Sequence, residues 1–336
     1  MSRPTTLADP AQKGEFALIA RHFQRPRVQP PASVALGVGD DCALLSPRAG
    51  HQIAISSDML VSGRHFFPDV APAALGHKAL AVNLSDLAAM GARPLGFTLA
   101  LALPQVDDAW LEAFAQGLFA LADAHACPLV GGDTTQGPLN LCITVFGEIA
   151  PGAALRRSAA RIGDDIYVSG ELGGACLALR CLQEPGTSPL GTDTAAFEPL
   201  RERLERPTPR AALGQALIGV AHAAIDVSDG LAGDLGHVLR ASDVGAEVWL
   251  EALPRPSAVA ALPAALRWPC VLQGGDDYEL LFTAPASARA AVTTAARHSD
   301  TPVHRIGQIV ATPGLRLIDG QGLVQPLTAK GFDHFA

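Results

Sequence analysis

Four apolar runs in this chain stop on aspartate: "GVGDDCALL" at 37–45, "IAISSDMLVSG" at 53–63, "LVGGDTT" at 129–135 and "IDVSDGLAGD" at 225–234. A fifth stretch, "QGGDDYELLF" at 273–282, sets two acids just ahead of such a run. Short apolar segments bounded by glycine and aspartate read as strands ending in turns, and helical periods separate them, so the chain must build α/β units. Gly-Asp by itself is a turn word, because glycine admits positive φ and aspartate closes an Asx-turn or caps a helix. "RIGDDIYVSG" at 161–170 takes that plain reading, with acids that precede a strand and no neighbouring hydroxyl.

Asp41, Ser56-Ser57-Asp58, Asp133-Thr134-Thr135 and Asp226-Ser228-Asp229 differ, since each lies at a strand end and three carry hydroxyl residues alongside. Two carboxylates about 4 Å apart repel by roughly 4 kcal/mol at an effective dielectric of 20, so a convergent set needs a cation among its members. Hard oxygen donors of this kind suit Mg²⁺, which keeps several waters and shares its shell with phosphate oxygens. A nucleotide is thereby implied, with metal ions bridging acids and polyphosphate.

Composition narrows the partners. The 336 residues are 49% hydrophobic and 17% charged, enough for two domains with substantial cores. A formal net charge of −8 argues against a nucleic-acid backbone as partner. The three lysines, Lys13, Lys78 and Lys330, form no Walker P-loop, and Cys42 stands where a GxGxxG fingerprint needs its third glycine. No stretch is apolar for the ~20 residues of a membrane span, and no signal peptide is seen, so the expectation is a cytoplasmic protein away from membranes. Six cysteines without a CxxC pair read as small core residues.

Along the chain, "GEFALIARHF" (14–23) is a helix, and 72–91 is a longer one closed by Gly91, with Leu80, Leu84 and Leu87 as its buried stripe and Asn83 and Asp86 beside it. "PLGFTLALALP" and "LNLCITVFGEI" are strands around a helix over "AWLEAFAQGLFALADAHAC". "DIYVSG" is a strand, "LGGACLALRCL" a helix, 183–209 a polar loop, and 209–250 alternates helix, strand, helix, strand. The fold class is α/β (α+β), in two domains spanning 1–150 and 151–336.

At these residues the chain resembles the thiamine-monophosphate kinase family, part of the fold family that includes aminoimidazole ribonucleotide synthetase and selenophosphate synthetase. The likeness covers almost the whole chain and rests on "GEFALIARHF", "GVGDDCALL", "ISSDMLVSGRHF", "HKALAVNLSDLAAMGARP", "VGGDTTQGPL", "LRRSAARIGD", "IDVSDGLAGDLGHV", "GGDDYELLFT" and "KGFDHF". It implies ATP-dependent phosphorylation of thiamine monophosphate to thiamine diphosphate, assisted by several Mg²⁺ ions. It further implies that the N-terminal domain, with a mixed sheet, binds ATP and Mg²⁺ and forms a homodimer, beside a C-terminal α/β domain.

By the same resemblance Asp41, Ser56, Ser57, Asp58, Asp86, Asp133, Asp226 and Asp229 are metal ligands, directly or through water, and Gly132, Asp133, Arg157 and Ser228 meet ATP. His65 and Asp276 face the thiamine phosphate; taken alone, His65 reads as an ordinary surface or core histidine and Arg157 as a solvated charge. No general base or covalent nucleophile is expected. Two departures stand out: Asp276 where the family has glutamate, and Ala329 where it has tryptophan. Two alternatives remain open, an ATP-dependent synthetase of the same fold and a non-catalytic nucleotide- or metal-binding protein.

Overall fold

The structure, a computed structural model, describes residues 14–25, 31–184, 189, 190 and 194–325. Ala329 and the "KGFDHF" end lie outside the described residues. Contacts divide the chain into two compact units, Met1–Asn83 with Pro94–Glu148, and Leu84–Arg93 with Ile149–Ala336.

In the first unit, α1 (Glu15–His22) is followed by the small pair β1 (Val34–Leu36) and β2 (Leu44–Leu45), which run antiparallel. β3 (Gln52–Val61), β4 (Arg93–Leu103), β5 (Leu129–Gln136) and β6 (Asn140–Ile149) form a four-stranded sheet in the order β3-β6-β4-β5. β4 and β5 are parallel, joined by α3 (Asp108–Ala124), whose N-cap Asp107 accepts from the N–H groups of Ala109 and Trp110. α2 (Pro72–Met90) packs on α3 backbone to backbone: a Cβ at Gly117 would run into the Ala73 carbonyl, and one at Gly76 into that of Phe114. Both positions therefore require glycine.

The expected stripe on α2 is wider than its pattern suggests. Leu80, Leu84 and Leu87 are buried, but so are Ala81, Val82, Asn83, Ser85 and Ala88, because the helix is enclosed on most sides. Gly91, at φ 72, ends it with the paired bonds of a Schellman turn, from its own N–H to Ala88 O and from Ala92 N to Leu87 O.

In the second unit a seven-stranded sheet takes the order β13-β12-β9-β11-β7-β10-β8. Its strands are β7 (Asp164–Ser169), β8 (Ala223–Val227), β9 (Gly245–Trp249), β10 (Glu279–Pro285), β11 (Val303–Val310), β12 (Gly314–Ile318) and β13 (Val324–Gln325), and all described pairings are antiparallel except β9 with β12. Its helices are α4 (Gly174–Gln183), α5 (Thr194–Glu205), α6 (Ala211–Ala216), α7 (Leu231–Ser242), α8 (Ser257–Ala260), α9 (Ala264–Gln273) and α10 (Arg289–His298). β7 and β8 are buried on both faces. Ile166, Val168, Ile225 and Val227 join a core with α4, α7 and α9, while Tyr167, Ala224 and Phe282 join another with α6 and α10.

Three expectations need correction. The segment 183–209 contains α5, which forms despite Pro199 because Leu200 and Leu204 are buried in the core it shares with α4 and the half-buried Phe197 packs against that core. Asp164 and Asp165 do not merely precede β7; they open it, and both are buried. Asp164 accepts from His222, Thr283 and the Arg161 N–H, and Asp165 from Arg289 and Arg305, so each acid is held by structural partners. Of the cysteines, Cys127, Cys181 and Cys270 are buried but Cys42 is exposed; all six are free.

Candidate active site

In the first unit, β3 sets the geometry of the hydroxyl-acid run. Successive strand residues point to opposite faces, so Ser56 and Asp58 lie with Ala54 and Leu60 on the more buried face, and Ser57 lies with Ile53, Ile55, Met59 and Val61 on the exposed one. The Ser57 hydroxyl is 2.9 Å from that of Thr144 and donates to Ile143 O at 3.2 Å. Whatever Ser57 contributes on the Asp58 side therefore falls to its main chain. β3 is an edge strand, and the Asp58 N–H finds its acceptor off the sheet in Asn83 Oδ1 at 3.1 Å. Asn83 is fully buried, and its amide also donates to Ala79 O at 3.0 Å.

Asp133 sits on the exposed part of β5, opposite Ala100. Gly132 before it has φ 148, and a Cβ there would strike the Leu99 main chain, so the close pairing of β4 and β5 demands glycine at this point. Asp41 is exposed, its N–H held by the Asp40 carboxylate at 2.8 Å. His65, in the turn after β3, accepts the Val61 N–H on Nδ1 at 3.0 Å, which places its ring proton on Nε2.

In the second unit, Asp226 is 4% exposed and accepts from the buried Ser85 hydroxyl of α2 at 2.8 Å; Asp86 follows on the same helix, half-buried. β8 then turns through Ser228 and Asp229 into α7. Both N–H groups of that turn are taken by one oxygen, Asp234 Oδ2, at 3.1 and 3.0 Å. Burial pushes the Asp234 carboxyl up to about 7, reinforced by the Asp229 charge and opposed by those two N–H donors and by Arg157. Arg157 itself is exposed, its carbonyl tied to Ser242 of α7 at 2.8 Å.

The "GGDD" word gives its two acids separate tasks. Asp276 has φ 67 and donates its N–H to Ser228 O at 2.9 Å, and Tyr278, φ 49, donates to Val227 O at 2.8 Å. Asp277 instead turns inward and accepts the Gly173 N–H at 2.8 Å, capping α4. Burial holds the Asp277 carboxyl well above the usual carboxylate range, against the pull of the N–H groups of Gly173 and Ala175.

Among the described residues no set of three or more His, Cys, Asp and Glu side chains is placed to hold a metal ion by itself. A cleft of the second unit, about 400 Å³ between Leu250, Trp268, Gln273 and Asp319, contains none of the predicted residues. Against expectation, Ser56-Ser57-Asp58 and Asp133 lie inside β3 and β5 and do not end those strands; Asp86 lies on α2. Sequence reasoning overlooked Asn83 and Ser85 as supports and Asp234 altogether. An acid in the first turn of α7, just after Ser228-Asp229-Gly230, is a capping signal that could have exposed the last of these.

The model of the AIR synthase related protein, N-terminal domain, matches residues 39–149, and that of the C-terminal domain matches 161–320. The thiamine-monophosphate kinase of Salmonella typhimurium is 48% identical over 327 residues, 96% of this chain and 98% of that one. The chain belongs to the thiamine-monophosphate kinase family. It is thus a phosphotransferase with the two-domain AIR synthase architecture. Among solved structures, the thiamine-monophosphate kinase of Stenotrophomonas maltophilia K279a is 50% identical with a TM-score of 0.80, covering 85% of this chain and 91% of its own. AaThiL complexed with AMPPCP and TMP is 27% identical with a TM-score of 0.75, over 86% and 89%. No helix among the described residues is long and apolar enough to cross a membrane.

Proposed function

We propose that this member of the thiamine-monophosphate kinase family transfers the γ-phosphoryl group of ATP to the phosphate of thiamine monophosphate, giving thiamine diphosphate. The observation that carries this reading is the similarity to a family structure holding both AMPPCP and TMP. In this reading Gly132, Asp133, Arg157 and Ser228 meet ATP, and His65 and Asp276 meet the acceptor.

The donor chemistry fits Mg²⁺. Asp41, Ser56, Asp58, Asp86, Asp133, Asp226 and Asp229 offer hard oxygens, with Ser57 adding main-chain oxygen, a donor set that suits ions taking water and phosphate oxygens into the rest of their shells. Bound Mg²⁺ would supply charge neutralisation of donor and acceptor phosphates. The chain's own part is positioning: buried Asp226 is oriented by Ser85, Asp58 by Asn83, and the Ser228-Asp229 turn by Asp234.

A phosphate monoester has a second pKa near 6, so the attacking oxygen is already largely ionised at neutral pH and no acid in the chain has to act as a base. Transfer is therefore direct and in line, without a phosphoenzyme. Purified protein with ATP, Mg²⁺ and thiamine monophosphate is expected to form thiamine diphosphate, identified by mass, with inversion at a chiral γ-thiophosphate. Binding of ATP without product would indicate a non-catalytic protein, and retention of configuration would indicate a covalent aspartyl-phosphate.

The outer face of β3 supports a homodimer. Ile55 is 63% exposed and Met59 57%, in line with Ile53 and Val61, an apolar sheet face of the kind that a second subunit covers. The free thiols accord with a reducing compartment such as the cytoplasm.

A further inference from the structure

We infer that Asp234 is a positioning residue that sets the Ser228-Asp229 turn and, through the Ser228 carbonyl, the Asp276 loop; the inference rests on the kinase reading above and deepens it. Asp234 lies in the first turn of α7, is 3% exposed, and uses a single carboxylate oxygen to hold the N–H groups of both Ser228 and Asp229. The carbonyl side of the same turn is held from the other direction, Val227 O by Tyr278 N and Ser228 O by Asp276 N.

The turn is thus bracketed on both edges, and its neighbours leave it no slack. Gly230 has φ 104, and a Cβ there would meet the main chain of Gln273; a Cβ at Gly275 would meet the Ser228 carbonyl. Asp276 and Tyr278 occupy left-handed conformations that non-glycine residues keep only when their surroundings hold them. Removing the carboxylate frees both N–H groups and lets the 228–229 peptide rotate. That motion displaces the Ser228 hydroxyl and the Asp229 carboxylate on the nucleotide side. Because Ser228 O is the acceptor for Asp276, it also releases the loop on the thiamine phosphate side. One buried side chain therefore sets residues assigned to both substrates, a coupling that a residue serving α7 alone would not produce.

The test compares Asp234→Ala, Asp234→Asn and Leu235→Ala, all well below their unfolding temperatures. Leu235 is fully buried on the same helix and serves as the control for lost packing. Asp234→Ala is expected to raise KM for both ATP and thiamine monophosphate about tenfold or more and to weaken MgATP binding, read by calorimetry, to a similar degree. Asp234→Asn, whose amide oxygen can still accept, is expected to recover most of each loss, and Leu235→Ala is expected to lower stability with both KM values unchanged. Should Asp234→Ala not fold, Asp234→Ser, whose hydroxyl is too short to span both N–H groups, carries the same comparison. Unchanged KM values and MgATP affinity in the variant, or losses matching those of Leu235→Ala, overturn the inference. If the unaltered protein formed no thiamine diphosphate while Asp234→Ala still weakened MgATP, the kinase reading would fall and the bracket would stand.

Discussion

Replacing Asn83 by leucine separates the support of Asp58 from its chemistry. The substitution keeps nearly the same volume at a fully buried position of α2 but removes the acceptor of the Asp58 N–H and the donor to Ala79 O. Ala79 O retains its helical partner, so the main loss is one N–H without an acceptor, about 1–3 kcal/mol. At roughly 2–4 °C per kcal/mol for domains of this size, the unfolding midpoint falls by about 2–12 °C. If β3 shifts to relieve the orphaned group, the same energy appears as a misplaced Asp58 carboxylate, and the half-saturating Mg²⁺ concentration rises by about five- to 150-fold. Asn83→Asp would cost more, because it sets a fully buried carboxylate beside the half-buried Asp58. Calorimetry and a Mg²⁺ titration of kinase rate measure both effects. An Asn83→Leu protein that melts and titrates like the parent refutes the assignment of Asn83 as the support of this strand.

Chelation of divalent metal is expected to abolish activity and weaken ATP binding together, and Asp133→Asn should do the same at unchanged melting temperature; undiminished ATP affinity in excess chelator would end the bridging argument. The buried Glu279 accepts from Arg210 at 2.7 and 2.6 Å and from Ser169 at 2.5 Å. Arg210→Met should therefore cost about 3–5 kcal/mol in urea unfolding, and adding Glu279→Leu should restore much of it, since the penalty is an uncompensated buried charge. For Asp277 the folded value is raised, so its contribution to stability is full below the unfolded value and is lost as pH rises toward the folded one. Asp277→Asn should be at least as stable as the parent at neutral pH and lose that advantage near pH 4, as read by melting curves; a parent more stable at neutral pH would contradict the sign. Ile55→Glu on the outer face of β3 should give monomers in sedimentation, and an intact dimer would place the interface elsewhere.

Local pattern carried a large part of this protein. The period of two along 52–61, the glycine closing α2, and the β4-α3-β5 crossover all follow from residues near one another in the chain. The same period already places Ser57 opposite Ser56 and Asp58, so its orientation was legible although the hydroxyl run obscured it. α5 was legible too, in the spacing of Phe197, Leu200 and Leu204, and Pro199 hid it.

What the sequence alone determined is the vocabulary: acids and hydroxyls beside glycines in and around short strands, and few lysines, which together set the expectation of phosphate handled through metal ions. Which acids are available for it was decided by tertiary structure. Asp164-Asp165 and Asp226-Ser228-Asp229 use the same vocabulary, yet Asp165 is committed to Arg289 and Arg305, which lie 124 and 140 residues away, and the 228–229 turn is bracketed by Asp234 and a loop nearly fifty residues on. A carboxylate's role depends on whether burial brings it a structural partner or leaves its oxygens for a ligand. Such partners arrive through long-range packing, which no local periodicity encodes.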